Sequence, residues 1–409
     1  MIGIIPDMRF KAAAMLLLLW QIPNVCHSSP KIIITPQISA EYQVDSNYFK
    51  SESNPHGMDT RVIKPGLAAG IKTARSLLKL TYSLHANYYR AHEASSNNFA
   101  SNKNNYIGHL GILKTRTRPF DRVVIGLDDS YYMTRDAARS DIFSESVSRD
   151  RYGINRFTPV FFYEFENRFS TALRYRHTTI DYKQSVSENS TEHRTLFDLI
   201  YNFTRTALLD VEYQHWRHTY DQASSGYRSK QLGLILKKEY KYVSLEAGGG
   251  IHQRDFEKNF PEDLRTSTYR ICIKARYPEN PEPDPRSYLN VTAERNLNDT
   301  GSGDVYFIAR RFTLEAGHLF FKKIMTNING YYKTSYYKTD YGITQEGILE
   351  LREDTTVSCA VKLKYLMAEG LAFSAEAGSE TRESNLYGCD YKNNFLKFTV
   401  NFEYDLSSG

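Results

Sequence analysis

Five cations on two stretches of this chain are spaced so that each strand could aim its own members at one ligand. Arg270, Lys274 and Arg276 alternate with Ile271, Ile273, Ala275 and Tyr277, and residues two apart on an extended strand share a face. Arg174 and Arg176 repeat the spacing on an earlier stretch. Rows of guanidinium and ammonium groups hold carboxylates, sulfates or phosphates. The five therefore form a candidate ladder for an anionic ligand, set against the plainer reading that they are solvated and paired with acids.

Other residues capable of chemistry fail on geometry. Asp128 and Asp129 are adjacent, so on a strand they point to opposite faces and cannot act as an acid pair. His215 and His218 are three apart and face opposite ways, which prevents a shared metal. Gly248-Gly249-Gly250 lacks the lysine and helix start of a phosphate loop and suits a curved strand instead. A Ser, His and acid set assembled from several strands is the remaining enzymatic reading, since such sets are recognised by geometry. The expectation is a protein that is not an enzyme and uses no cofactor or metal.

The elements that must carry these residues are long strands. In Leu77 to Tyr89, Leu78, Leu80, Tyr82, Leu84, Ala86 and Tyr88 fall on one side, while Lys79, Thr81, Ser83, His85 and Asn87 fall on the other. An alternation of that length exceeds the roughly five or six residues of a globular strand and suffices to cross a bilayer when tilted. Ile63 to Lys72 supplies a hairpin partner through a tight turn at Thr73 to Arg75. Similar runs recur to the end of the chain, among them Tyr106 to Lys114 before a turn at Thr115 to Pro119, Ser267 to Tyr277, Asp304 to Leu319 and Phe395 to Tyr404. Arg310-Arg311 interrupts the alternation of Asp304 to Leu319 and suggests a bulge. The runs sum to about eighteen strands, within a range of about 16 to 18, with short and long connections alternating, as in outer-membrane barrels. The proline-rich stretch Pro278 to Pro285 is long for its short-turn position.

Composition agrees with a barrel. With a mean hydropathy of −0.52 and 24% charged residues, the chain cannot be a helical membrane bundle, whereas a barrel needs only every second residue apolar. The 31 tyrosines and 22 phenylalanines suit a membrane interface. Net charge is only +5 and its cations are interleaved with acids, which gives no support to nucleic-acid binding. The inward set includes Glu41, Lys64, Asp198, Asp210, Glu212, Glu246, Lys364 and Lys397 as well as the five candidate cations. Both signs occur, as in a weakly selective or sugar-tolerant lumen.

Residues 1–28 read as a signal peptide: Arg9 and Lys11 precede an apolar run from Ala12 to Trp20, and small residues follow at Ser28 and Ser29. Residues 29–409 then form one barrel domain. Cys26 lacks the small residue expected before a lipidated cysteine, and Cys272, Cys359 and Cys389 are too few and too scattered for a disulfide framework.

Two passages resemble a known family. Ile34 to Tyr42, continuing to Phe49, is similar to the opening strand of the β-barrel porins of the second type, and Ile63 to Leu67 with Arg75, Leu78, Leu80 and Tyr82 is similar to the next hairpin. Arg168-Phe169-Ser170 resembles a recurring turn of that family. The resemblance covers roughly the first ninety residues after the signal. It implies an all-β, transmembrane, antiparallel up-and-down barrel in the Gram-negative outer membrane, of a kind associated with exopolysaccharide and exosortase (PEP-CTERM) systems. The implied partners are outer-membrane lipid, the outer-membrane assembly machinery reading the aromatic row Phe398, Phe402 and Tyr404, and a polysaccharide or other envelope solute. The expected function is an aqueous channel. The alternatives are a plugged barrel acting as adhesin, receptor or scaffold through loops such as Asp136 to Gly153, and an envelope hydrolase.

Overall fold

A computed structural model describes residues 30–406 apart from 53–54, 93–104, 136–150, 166–167, 184–187, 223, 259–261, 279–285 and 300–305. The expected signal peptide, most of the Asp136 to Gly153 loop and most of the proline-rich connection lie outside the described residues.

The chain forms eighteen antiparallel strands in one closed sheet. In order they are β1 (Lys31–Asp45), β2 (Met58–Lys72), β3 (Ser76–Ala91), β4 (Tyr106–Phe120), β5 (Val123–Thr134), β6 (Tyr152–Glu164), β7 (Phe169–Tyr182), β8 (Ser190–Thr204) and β9 (Ala207–Tyr220). The second half comprises β10 (Tyr227–Glu239), β11 (Val243–Phe256), β12 (Leu264–Tyr277), β13 (Ser287–Asp299), β14 (Tyr306–Phe320), β15 (Ile324–Ile343), β16 (Leu349–Ala368), β17 (Leu371–Ser384) and β18 (Tyr391–Glu403). Each strand pairs with its sequence neighbours, and β1 pairs with β18 from Gln37 opposite Glu403 to Asp45 opposite Phe395. Beyond β18 the backbone continues the seam, with Tyr404 N donating to Pro36 O and Leu406 N to Ile34 O. Closure leaves no edge.

Outward positions are apolar and exposed. On β14 the outward row is Phe312, Leu314, Ala316, His318 and Phe320. From Phe312 to Phe320 the strand advances roughly 26 Å, about 20 Å along the normal at a tilt of about 40°, close to the ~25 Å apolar band of a membrane barrel. Phe120, Phe165, Phe203, Tyr240, Tyr277 and Phe320 are exposed beside the short turns, forming an aromatic belt at that end. The buried clusters gather instead on the lumen side near the long connections: Tyr48, Met58, Tyr89 and Tyr106; Tyr152, Ile154 and Ile180; Phe307, Ala309 and Tyr337. A fourth cluster, Leu297, Tyr306 and Ile308, packs with Phe256 and Leu264.

Two local expectations are corrected. The turn expected at Thr115 to Pro119 lies later, at Asp121 and Arg122, because β4 runs through Pro119 and absorbs it in a register shift between Thr117 and Phe120. No bulge occurs at Arg310-Arg311, where β14 keeps unbroken register with β13 and β15. Alternation is intact there: Arg311 faces the lumen over the ring of Tyr331 at 4.4 Å, and Arg310 faces outward above Phe312. The glycine run in β11 marks a close approach, since a Cβ on Gly250 would lie 2.3 Å from Leu232 O.

Leu234 sits mid-strand on the outward face of β10, 54% exposed. Leu234→Arg should destabilise the barrel in lipid by about 2–4 kcal/mol, the cost of an arginine near the bilayer midplane, measured as a lowered urea midpoint in vesicles. Lys237→Arg, on the lumen face, should leave the stability derived from that midpoint within about 0.5 kcal/mol of the parent.

Candidate functional site

The lumen wall is built by the even residues of β7, β8, β9, β11 and β12 and the odd residues of β1 and β10, the positions left when the exposed apolar residues face outward. Mixed charge on this wall is mostly neutralised side to side. Glu41 on β1 accepts from Lys64 Nζ at 2.6 Å and lies 3.4 Å from Lys397 Nζ. Asp128 takes both terminal nitrogens of Arg116, at 3.0 and 2.6 Å. On β7 to β10, Arg174 is paired with Asp198, and Lys237 with Asp210 at 3.4 Å. These pairs cross neighbouring strands, the sheet counterpart of helical i,i+4 pairs.

All five candidate cations face the lumen, and the structure divides them. Arg174 is taken up by Asp198. Arg176 and Arg270 line one recess of about 390 Å³ together with Arg156, Arg194 and Arg254 and the acids Glu192, Glu212, Glu246 and Glu294. Arg270 Nε lies 3.6 Å from Glu246 there. That recess is balanced in sign, as the plainer reading of the sequence had it. Lys274 and Arg276 line a second, larger recess of about 910 Å³ near the short turns, with Lys322, Lys364, Tyr288, Asn290 and the acids Glu239 and Glu315. Glu315 is already engaged by Tyr288 Oη at 3.2 Å and Asn290 Nδ2 at 3.1 Å. Among the described residues no acid pairs with Lys274, Arg276, Lys322 or Lys364.

In this second recess four cations face two acids, an excess of positive charge. Lys322 escaped sequence reasoning because it sits in the tight turn after β14, in a left-handed conformation with φ of 59° that no strand periodicity reveals. The doublet Lys322-Lys323 beside Phe320-Phe321 was the available signal.

Towards the long connections the wall changes character. Arg194 lies over Trp216 at 4.3 Å while bonding Glu192, and Arg254 lies 3.9 Å over Tyr227. His218, fully buried, stacks on Tyr227 at 9° between ring planes. Across the lumen, Glu380 on β17 gathers Lys50 from the β1–β2 connection, Tyr331 Oη at 2.7 Å and Tyr391 Oη at 2.6 Å. The mouth at this end is narrowed by packed rings and by a connection tied to the wall. The residues weighed for catalysis stay apart: Asp128 faces the lumen and Asp129 outward, and His218 faces the lumen while His215 faces outward.

Comparison with known proteins finds a family model similar to part of the chain and solved structures that share its fold. Residues 282–404, spanning β13 to β18, match the family model described as "Putative beta-barrel porin 2". The porin resemblance read from the sequence therefore holds, on a different stretch from the N-terminal hairpins that suggested it. No curated protein matches the chain in sequence. The crystal structure of Pseudomonas aeruginosa OpdK with vanillate superposes with a TM-score of 0.51 at 9% identity, covering 91% of this chain and 99% of that one. Acinetobacter baumannii OccAB4 gives 0.51 at 12% identity, over 93% and 99%. Identities this low establish a shared fold.

Lys274→Gln with Arg276→Gln should lower the anion-to-cation permeability ratio by roughly two- to threefold, the effect of losing about one kT of positive potential. Reversal potentials under a salt gradient measure it. Arg174→Gln, which removes a cation already neutralised, should change the ratio much less.

Proposed function

We propose that the chain is an outer-membrane channel of Gram-negative bacteria that passes a polar, acidic envelope solute, with an exopolysaccharide as the favoured cargo. The observation that carries this reading is a closed eighteen-strand ring whose outward face is apolar and whose inward face is charged throughout. Eighteen strands enclose more space than side chains fill, so water enters. The mixed, largely paired charges of the wall suit a neutral or weakly charged polymer, and the unpaired cations at Lys274, Arg276, Lys322 and Lys364 suit an acidic one. OpdK, crystallised with vanillate, is a barrel of the same fold that holds a carboxylate compound. The match over residues 282–404 supports a porin-type channel. The exopolysaccharide assignment rests on the family resemblance read from the sequence. In this reading a signal peptide over residues 1–28 directs export, and the short turns face the periplasm.

A second reading, a barrel closed at its outer end and acting as a receptor, is favoured by the β1–β2 connection, which Lys50 ties to the neighbouring wall through Glu380. The two readings separate in planar bilayers. The channel reading expects discrete single-channel steps from purified protein and larger steps after Glu380→Gln, because the carboxylate that holds Lys50, Tyr331 and Tyr391 is lost. Folded protein that stays silent in both forms, despite a heat-modifiable gel shift, would establish the closed barrel instead.

A further inference from the structure

On one arc of the barrel the outward apolar rows end abruptly in positive charge. Reading each row towards the long connections, Leu232 on β10 is followed by Lys230 and Arg228, Ala293 on β13 by Arg295, and Phe312 on β14 by Arg310. Between them, β12 passes from Tyr269 through Ser267 to Arg265. On β9 the row ends in His215 and Arg217. Like charges stand directly opposite one another across strands, Arg217 beside Arg228 and Arg295 beside Arg310. Such pairs are destabilising unless something of opposite sign sits between them.

The protein supplies little of that sign. Asp255 faces outward opposite Arg228 and takes Gln253 Nε2 at 2.8 Å, and Glu257 lies 2.8 Å from Arg217. Among the described residues no acid pairs with Arg228, Lys230, Arg265, Arg295 or Arg310. One ladder of the wall also ends early here. The β12–β13 ladder stops at Tyr269 opposite Arg295, although both strands continue, and Arg295 Nη1 donates to the Ser267 carbonyl at 2.7 Å and to Ser267 Oγ. Arg310 meanwhile lies 5.5 Å over Tyr336, the aromatic surface of an interfacial site. Elsewhere on the rim the signs are mixed, with Glu353 on β16 and Glu383 on β17 above their apolar rows and Arg61 on β2, Arg90 on β3 and Lys392 on β18 above theirs.

We infer that this arc, centred on Lys230, Arg295 and Arg310, binds the phosphate groups of the phosphorylated glycolipid that forms the outer leaflet. The level is that of a lipid headgroup, one residue pair above the acyl-facing rows. The chemistry is that of fixed donors left without an internal acid. The inference rests on the proposed orientation, with long connections outward.

The test uses the folded chain in detergent, titrated with bisphosphorylated lipid A and with the same lipid stripped of phosphate, bound lipid being counted by native mass spectrometry. The parent protein should hold the phosphorylated form. Lys230→Gln with Arg295→Gln and Arg310→Gln should bind it at least tenfold more weakly, tenfold being about the scale of a single lost charge-assisted contact. The lumen variant Lys274→Gln with Arg276→Gln, which keeps the arc, should bind as the parent does. Equal binding by the triple variant, equal binding of the stripped lipid, or equal competition by phosphatidylglycerol would each overturn the assignment. Conductance on the same samples separates this inference from the channel: a silent barrel that still requires phosphate sinks only the channel, and a conducting barrel indifferent to phosphate sinks only the arc.

Discussion

Every strand of this protein depends on the requirement that a backbone in hydrocarbon find all its hydrogen-bond partners within the protein. An unpaired amide or carbonyl there costs several kcal/mol, so a polar polypeptide can enter a bilayer only as a helix or as a ring of strands. The β1–β18 seam completes the ring, and the tail beyond β18 extends it onto Pro36 and Ile34. Once the ring is closed, the period-two alternation of each strand does the remaining sorting, placing leucine, isoleucine and aromatic side chains outward and charged ones inward. The β12–β13 ladder ends early only near the long connections, at a headgroup level where water and polar lipid can satisfy what the partner strand does not.

Within the ring, charge is arranged in two regimes. Along most of the wall each acid meets a cation on an adjacent strand, as Glu41 meets Lys64 and Asp198 meets Arg174, which cancels the field without closing the lumen. Near the short turns the balance breaks, because four cations face only Glu239 and Glu315, and Glu315 spends its oxygens on Tyr288 and Asn290. At the other end, rings and a tethered connection narrow the mouth. A solute entering from the short-turn side therefore meets attraction first and constriction second.

Much of the fold was legible because the physics of a barrel is written in alternation. The strands of Leu77 to Tyr89 and Ser267 to Tyr277 were readable from the side-chain pattern alone, and the structure extends them by a few residues to Ser76–Ala91 and Leu264–Tyr277. Alternation says nothing of how a proline is absorbed, which is why the end of β4 was misplaced, nor does it separate an irregular strand from a regular one that crosses a membrane boundary. Arg310-Arg311 looked like a defect because an outward arginine breaks an apolar row, yet it marks the level at which lipid gives way to headgroups. The five candidate cations were legible as inward-facing. Their division into neutralised and free members was not, since it depends on which acids lie across the sheet, and cross-strand register is invisible in a single chain.

The two-faced ring is tested most directly by nitroxide labels placed singly at residues 269–277 of β12, in lipid vesicles and in a background cleared of native cysteines. Accessibility to oxygen should peak at 269, 271, 273, 275 and 277, and accessibility to a water-soluble nickel chelate at 270, 272, 274 and 276, in strict alternation. Equal access of the chelate to both sets, or a period near 3.6, would contradict the barrel.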